Sequence, residues 1–229
     1  AAVLASEGLE RERSEMVLEG GSFHSDGQGT LLVTEQCLLH GNRNPGWTRE
    51  AIEAELRRRL HARKVVWLPR GLHGDLDTDG HVDNLCAFAG PATVLLAWTD
   101  DEADPQHAIS REALAALLSE TDARGRPFRV VKLPIPPPLH VTPEEAAGVA
   151  AAAGTIPRVA GTRLPASYTN FYVANGAVIL PGFGCPPHDA EAVEVVQRSF
   201  PGLEVHQVYS REILLGGGNI HCITLPQPE

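Results

Sequence analysis

The chain predicts an α/β protein built from repeated strand–strand–helix–strand units. Short apolar, β-branched runs alternate with stretches whose apolar residues recur at helical spacing. Glycine, proline and asparagine punctuate those runs where turns are needed. A hydrophobic content of 43% is enough for a substantial core in 229 residues.

Residues 3–15, rich in Glu, Arg and Leu, predict a helix, and 16–18 a short strand running into Gly20-Gly21. Asp26-Gly27-Gln28-Gly29 reads as a turn and 30–34 as the strand that follows. Thr48 is a good N-cap for an amphipathic helix with Ile52, Leu56 and Leu60 on one face. Residues 65–68 close this first unit as a strand. A second unit follows: strands at 82–88 and 92–98 about Gly90-Pro91, a helix at 110–119, and a strand at 128–133. Pro134 to Pro138 is a proline-rich loop, and Thr142-Pro143-Glu144-Glu145 has capping-box spacing with proline at the first helical position. The alanine-rich stretch beyond it, ending near Gly154, reads as a short helix or a surface insertion. The third unit pairs strands at 168–173 and 177–181 about Asn175-Gly176, a strong hairpin signature. A helix capped by Asp189 then buries Val193, Val196 and Phe200, and 204–208 is the last strand. After Gly216-Gly217-Gly218, residues 221–225 look like the opening strand of another unit.

A net charge of −10 argues against nucleic acid as a partner, and no apolar run reaches membrane-spanning length. Cys37, Cys86, Cys185 and Cys222 show no C-x-x-C spacing and read as free thiols of a soluble, intracellular protein.

Each unit carries a polar residue near its first strand: Glu19, then His81 with Asp83, then Asn170, and finally Cys222. Units packed about a common axis would bring these together. His81-Val82-Asp83, read as strand, sends an imidazole and a carboxylate to one side. Taken alone, the pair reads equally as a polar strand edge, Glu19 as a surface glutamate, and Cys222 as a small core residue. His24-Ser25-Asp26 is a second H-x-D pair, expected to be peripheral. A metal hydrolase using His24, Asp26, His81, Asp83 and Cys222 has acceptable ligand types but no recognised ligand spacing, so no metal is assigned. A thiol, an imidazole and carboxylates among glycines suit attack on a cationic carbon. Carboxylates hold a guanidinium, Cys222 adds to its central carbon, and His81 moves the protons.

These residues fall in larger motifs. Leu18-Glu19-Gly20-Gly21-Ser22-Phe23-His24, Thr34-Glu35-Gln36-Cys37-Leu38-Leu39 with Asn42-Arg43-Asn44-Pro45, Gly80-His81-Val82-Asp83-Asn84, Ala166-Ser167-Tyr168-Thr169-Asn170-Phe171-Tyr172 and the glycine run into His221-Cys222-Ile223-Thr224 follow one another along the chain. Together they resemble the agmatine deiminases of the Porphyromonas-type peptidyl-arginine deiminase family, in the guanidino-group modifying superfamily. Trp67-Leu68-Pro69-Arg70-Gly71 and Leu95-Leu96-Ala97-Trp98-Thr99-Asp100-Asp101 resemble the agmatine branch. The resemblance implies a pentein, a propeller-like ring of ββαβ units. It implies hydrolysis of agmatine to N-carbamoylputrescine and ammonia in the cytoplasm, as a step of putrescine and polyamine synthesis, with no metal or organic cofactor. A homo-oligomer is compatible with it. Carried over by motif, Cys222 is the nucleophile, His81 the general acid and base, Asp83 the guanidinium ligand and Glu19 the acidic partner of the histidine. Asn170, Gly217 and Gly218 line the substrate.

The departure is at the front. The family's W-x-R-D-x-G-P segment, whose aspartate is a second guanidinium clamp, does not occur here. Residues 1–229 are therefore expected to form one agmatine deiminase-like pentein domain lacking its N-terminal units, with weak or no activity in isolation. A deiminase of arginine or peptidyl-arginine, or a non-catalytic remnant, are the competing expectations.

Overall fold

A computed structural model describes residues 2–150 and 156–225. Helix α1 (Ala2–Ser6) opens the described chain. It is shorter than the predicted 3–15, because Gly8 takes a left-handed turn (φ 67°) that ends it. Residues 16–18 form no strand. Val17 instead exchanges backbone hydrogen bonds with the Asn44 side chain, and Met16 is buried in the first unit.

In the first unit, β1 (Phe23–Ser25) pairs antiparallel with β2 (Thr30–Thr34). A short helix α2 (Glu35–Leu38) is capped by Thr34, whose hydroxyl accepts from the Cys37 amide. Helix α3 (Arg49–Leu60) begins at the expected Thr48 cap and buries Ile52 and Leu56. It returns the chain to β3 (Lys64–Leu68), parallel to β2. The second unit repeats this with β4 (Cys86–Gly90), β5 (Thr93–Trp98), helix α4 (Pro105–Leu118) and β6 (Arg129–Pro134). Helix α4 starts a turn and a half earlier than the apolar spacing suggested, because Asp104 caps it and Pro105 occupies its first turn. Helix α5 (Pro143–Gly148) carries the complete Thr142–Glu145 capping box; the expected end of this segment near Gly154 lies outside the described residues. The third unit is β7 (Tyr172–Ala174), β8 (Ala177–Gly182), helix α6 (Pro186–Ser199) and β9 (Glu204–Tyr209). Helix α7 (Arg211–Leu214) leads into the glycine run.

The expectation of strand–strand–helix–strand units therefore holds. Three small mixed sheets each place their second strand in the middle, antiparallel to the first and parallel to the third. The units pack through shared cores. On β5, Val94, Leu96 and Trp98 join Leu32, Val66 and Leu68 of the first unit. Leu95, one residue out of phase, joins Val178, Leu180 and Val196 of the third. The alternation of a strand thus glues one unit to a neighbour on each side. Each such leucine contributes roughly 1.5–3 kcal/mol by leaving water.

Three local readings need correction. Val82–Asn84 is a single 3-10 turn, and β4 begins only at Cys86. His221–Ile223 is likewise a 3-10 turn, and no strand follows among the described residues up to 225. Asp189 lies inside the first turn of α6 rather than at its cap, where it accepts from the amides of Phe183 and Cys185 and the Tyr168 hydroxyl. Among the described residues no helix is long and apolar enough to cross a membrane.

Candidate active site

A short turn precedes the first strand of each unit, and these turns meet. Gly20–Ser22 comes before β1, Val82–Asn84 before β4, the Tyr168-Thr169 turn before β7, and His221–Ile223 at the chain's last described segment.

Cys222 Sγ lies 3.4 Å from Asp83 Oδ2 and 3.2 Å from Asn170 Nδ2. The same Asp83 oxygen is 2.9 Å from Nδ1 of His221. Asp83 is fully buried, yet its Oδ1 has no hydrogen-bond partner. His81 is also buried, and its Nε2 is unpartnered, with Glu19 Oε2 beyond hydrogen-bond range at 3.7 Å. Glu19 receives Arg43 Nε at 3.0 Å on both oxygens, while Arg43 also donates to Asp79 at 2.6 Å. The guanidinium that Glu19 holds is thus the protein's own.

Two orphaned polar atoms in one buried cluster cost free energy, because each gave up water without a replacement. Such a deficit is repaid by a ligand that donates to Asp83 Oδ1 and engages His81.

A buried relay fixes the sulfur. Asn84 donates to Asp75 at 3.1 Å, Asn170 donates to Asn84 at 2.9 Å, and the same Asn170 amide reaches Cys222. The Cys222 amide closes on Asn170 Oδ1 at 3.4 Å. Asp75 also accepts from the Thr78 hydroxyl, which accepts from the His81 amide. Burial pushes the Asp75 carboxyl up, against these hydrogen bonds. Asn170 is completely buried and is held against the sulfur.

Close approach explains the glycines. A Cβ at Gly21 would sit 2.5 Å from Asp83 Oδ2 and 2.6 Å from His81 Nδ1; a Cβ at Gly218 would sit 2.5 Å from Cys222 Sγ. Gly217 is left-handed (φ 95°) and packs on Asp77, which Arg158 holds at 3.0 Å. Gly217 therefore shapes the loop, and Gly218 and Gly21 leave room at the chemistry.

Cys222 as a residue is exposed, while its sulfur is enclosed by Asn170, Asp83 and the space above Gly218. Its thiol is pushed up to about 12, by loss of water first and by the Asp83 carboxylate next. His24 was expected to be peripheral, but its ring is 6.0 Å from that of His221 and accepts the Phe88 amide through Nδ1. Burial and then His221 lower the His24 pKa to about 4, so it is neutral near pH 7. Asp26 only ties its own turn, through the amides of Gln28 and Thr30.

The potential metal ligands are also grouped differently from the H-x-D pairs. The ligand atoms of Glu19, Cys37 and His81 lie within 4.8 Å of one another. Sequence reading gives Cys37 no role beyond a free thiol within a motif. It missed this grouping, the relay through Asp75, and Gly21 as a steric necessity; each depends on contacts between units, with no local pattern to reveal it.

With this geometry, the class is defined by comparison along the whole chain. The sequence model of the Porphyromonas-type peptidyl-arginine deiminase family matches residues 1–228, and the chain belongs to that family. Within it, the chain is similar to the agmatine deiminase of Medicago truncatula, 56% identical over 99% of this chain and 61% of the relative. It is 53% identical to that of Ectopseudomonas mendocina, again over 99% of this chain and 61% of the other. Among solved structures, the agmatine deiminase of Enterococcus faecalis, described as catalysing its reaction, superposes with a TM-score of 0.92. That match has 40% identity and covers 97% of this chain and 60% of the other. An agmatine deiminase of C. jejuni with substrate bound matches at a TM-score of 0.79 and 27% identity, over 96% of this chain and 60% of that one. The chain thus spans about three fifths of the length of the relatives it matches.

Proposed function

We propose that this chain carries the thiol, imidazole and carboxylates of an agmatine deiminase, which hydrolyses agmatine to N-carbamoylputrescine and ammonia, a step toward putrescine. In this reading its three units are part of a pentein ring forming one cytoplasmic domain, whose remaining units correspond to the unmatched two fifths of the relatives. The observation that carries the proposal is the Cys222 sulfur 3.4 Å from a buried Asp83 whose other oxygen, Oδ1, is orphaned, with an orphaned His81 Nε2 in the same set of turns.

A guanidinium placed against Asp83 Oδ1 donates into the vacant lone pairs by a charge-assisted bond. It also offsets the negative charge that holds the Cys222 proton. The substrate thereby lowers the pKa of the thiol that attacks it. The Cys222 proton passes to His81, and the thiolate adds to the central guanidinium carbon. His81 protonates one nitrogen, the C–N bond breaks, and ammonia leaves, with the carbon held on sulfur as a thiouronium. His81, now neutral, takes a proton from water as the oxygen adds. The C–S bond then breaks as the hydroxyl proton leaves to solvent, returning the thiolate and leaving a carbamoyl group on the amine. Glu19, restrained by Arg43, stabilises the protonated His81 from 3.7 Å.

Agmatine is preferred over arginine in this reading because the cationic side chains at the site's margin are already tied to carboxylates. Arg43 is held by Glu19 and Asp79, and Arg158 by Asp77. An arginine carboxylate would have to compete for them. The test is product formation from agmatine, arginine and a peptidyl-arginine at equal concentration, by this chain supplied together with the remaining units of the ring. Ammonia and N-carbamoylputrescine from agmatine, absent in Cys222→Ser, support the proposal. Faster turnover of arginine, or turnover surviving Cys222→Ser, defeats it.

A further inference from the structure

We propose that Glu19, Cys37 and His81 form a binding site for a divalent transition metal of the zinc class, separate from the Cys222 sulfur. Three observations on different elements support it. The carboxylate of Glu19 stands at the turn before β1, the thiol of Cys37 on α2, and the imidazole of His81 before the Val82–Asn84 turn. Their ligand atoms already lie within 4.8 Å of one another. A tetrahedral zinc with Zn–S about 2.3 Å and Zn–N or Zn–O about 2.0–2.2 Å needs its ligand atoms about 3.3–3.8 Å apart, so a contraction of about 1 Å completes the site.

The second observation is His81 Nε2 itself. It belongs to a histidine only 5% exposed, has no hydrogen-bond partner, and is aimed toward Glu19 at 3.7 Å. A metal is one group that satisfies a neutral imidazole nitrogen there.

The third is the charge balance. Glu19 and a Cys37 thiolate supply two negative charges to a divalent ion, so the occupied cluster is neutral and its burial is tolerable. Arg43 is the nearby cation that opposes metal entry, but it has a second anchor in Asp79 at 2.6 Å and can release one Glu19 oxygen without being left unpaired. Cys37 is buried and Glu19 is the partly exposed member of the set, which places the route in, and the fourth ligand water, on the Glu19 side. Binding displaces the Cys37 proton to solvent, so affinity rises with pH.

Metal at this site occupies the imidazole nitrogen and the carboxylate that the deimination reading assigns to proton transfer. It would therefore be inhibitory; that clause alone rests on the proposed function, while the binding site stands without it.

The experiment uses the reduced protein under anaerobic conditions, titrated with Co(II) and then with Zn(II) as competitor. The expected result is a near-ultraviolet thiolate-to-Co(II) charge-transfer band that saturates at one equivalent and is bleached by Zn(II). It is retained in Cys222→Ser and lost in Cys37→Ser, with Zn(II) affinity about 100-fold weaker in the latter. Circular dichroism checks that Cys37→Ser is folded. If it is not, His81→Gln and Glu19→Gln are used instead, and each must weaken Zn(II) binding at least about tenfold. No charge-transfer band in the native protein overturns the site. So does a band that survives Cys37→Ser, or one that disappears in Cys222→Ser. None of these readouts requires agmatine, so failure of the metal site and failure of the deiminase reading are separately visible.

Discussion

At the scale of single residues, Asp83 has two opposed effects on Cys222. It is the ligand proposed for the cation, and its charge helps hold the thiol proton, with a pKa near 12. Removing the charge should therefore make the sulfur more reactive while making the protein a worse catalyst. Asp83→Asn is expected to speed alkylation of Cys222 by iodoacetamide at pH 8 by about threefold to tenfold, since the thiolate fraction rises as the pKa falls. Ammonia release from agmatine should drop by about tenfold to a hundredfold, the equivalent of about 1.5–3 kcal/mol for a lost charged hydrogen bond. Rates of alkylation and turnover measured on the same preparation check this. If both fall together, Asp83 does not control the thiol. The type of each site residue could be read from sequence, because a thiol beside glycines and an H-x-D pair have few chemical uses. Its partner could not. Nothing near Glu19 in sequence announces that Arg43 occupies it, and nothing near Cys222 announces Asn170 and Asp75.

At the scale of elements, the legible features were those whose cause is local. Thr48 and Thr142 cap helices because a side-chain oxygen meets an amide a few residues on. Asn175-Gly176 makes a hairpin because two residues with relaxed backbones suffice. The turn at Val82–Asn84 was misread as strand because His-Val-Asp-Asn-Leu-Cys alternates well enough for β periodicity, while its real determinant is the burial of Asp83 and Asn84 against other units. The turns differ sharply in what they tolerate. In Gly20–Ser22, a Cβ on Gly20 meets nothing within 4 Å, whereas one on Gly21 collides with both Asp83 and His81. Gly20→Ala should leave kcat/KM for agmatine within about twofold. Gly21→Ala should lower it by about a hundredfold or more, because displacing reacting groups by even 1 Å carries a cost of that order. Thermal melts of the two variants serve as the control. A similar loss in both would mean that the turn's flexibility matters, and not the space above Gly21.

At the scale of the whole molecule, thiols sit in the apolar clusters within and between the units. Cys37 is buried in the first unit's cluster and Cys86 in the core shared by the first and second units, both at 0% exposure. Burial pushes the Cys37 thiol from its ordinary 9.0 up to about 12, partly opposed by Arg43, and it pushes Cys86 up as well. The consequence for folding has a definite sign. Above pH 9 the unfolded chain loses these protons while the folded chain keeps them, so the folded state binds more protons and stability falls as pH rises. The contribution is fully present below about pH 9 and is lost progressively as pH rises toward the folded values. Each fully buried thiol imposes a slope of up to about 1.4 kcal/mol per pH unit across that window. Denaturant titrations under reducing conditions at pH 8.5, 9.5 and 10.5 should show this decline. Lysines and tyrosines titrate in the same range, so the diagnostic quantity is the slope in a variant. Cys86→Ala should be less stable than the native protein at pH 8.5, because a core sulfur is missing. It should nevertheless lose stability less steeply with pH, so the two curves converge as the solution becomes alkaline. Parallel curves would mean that the Cys86 thiol titrates alike in both states, and that water reaches the seam between the first two units.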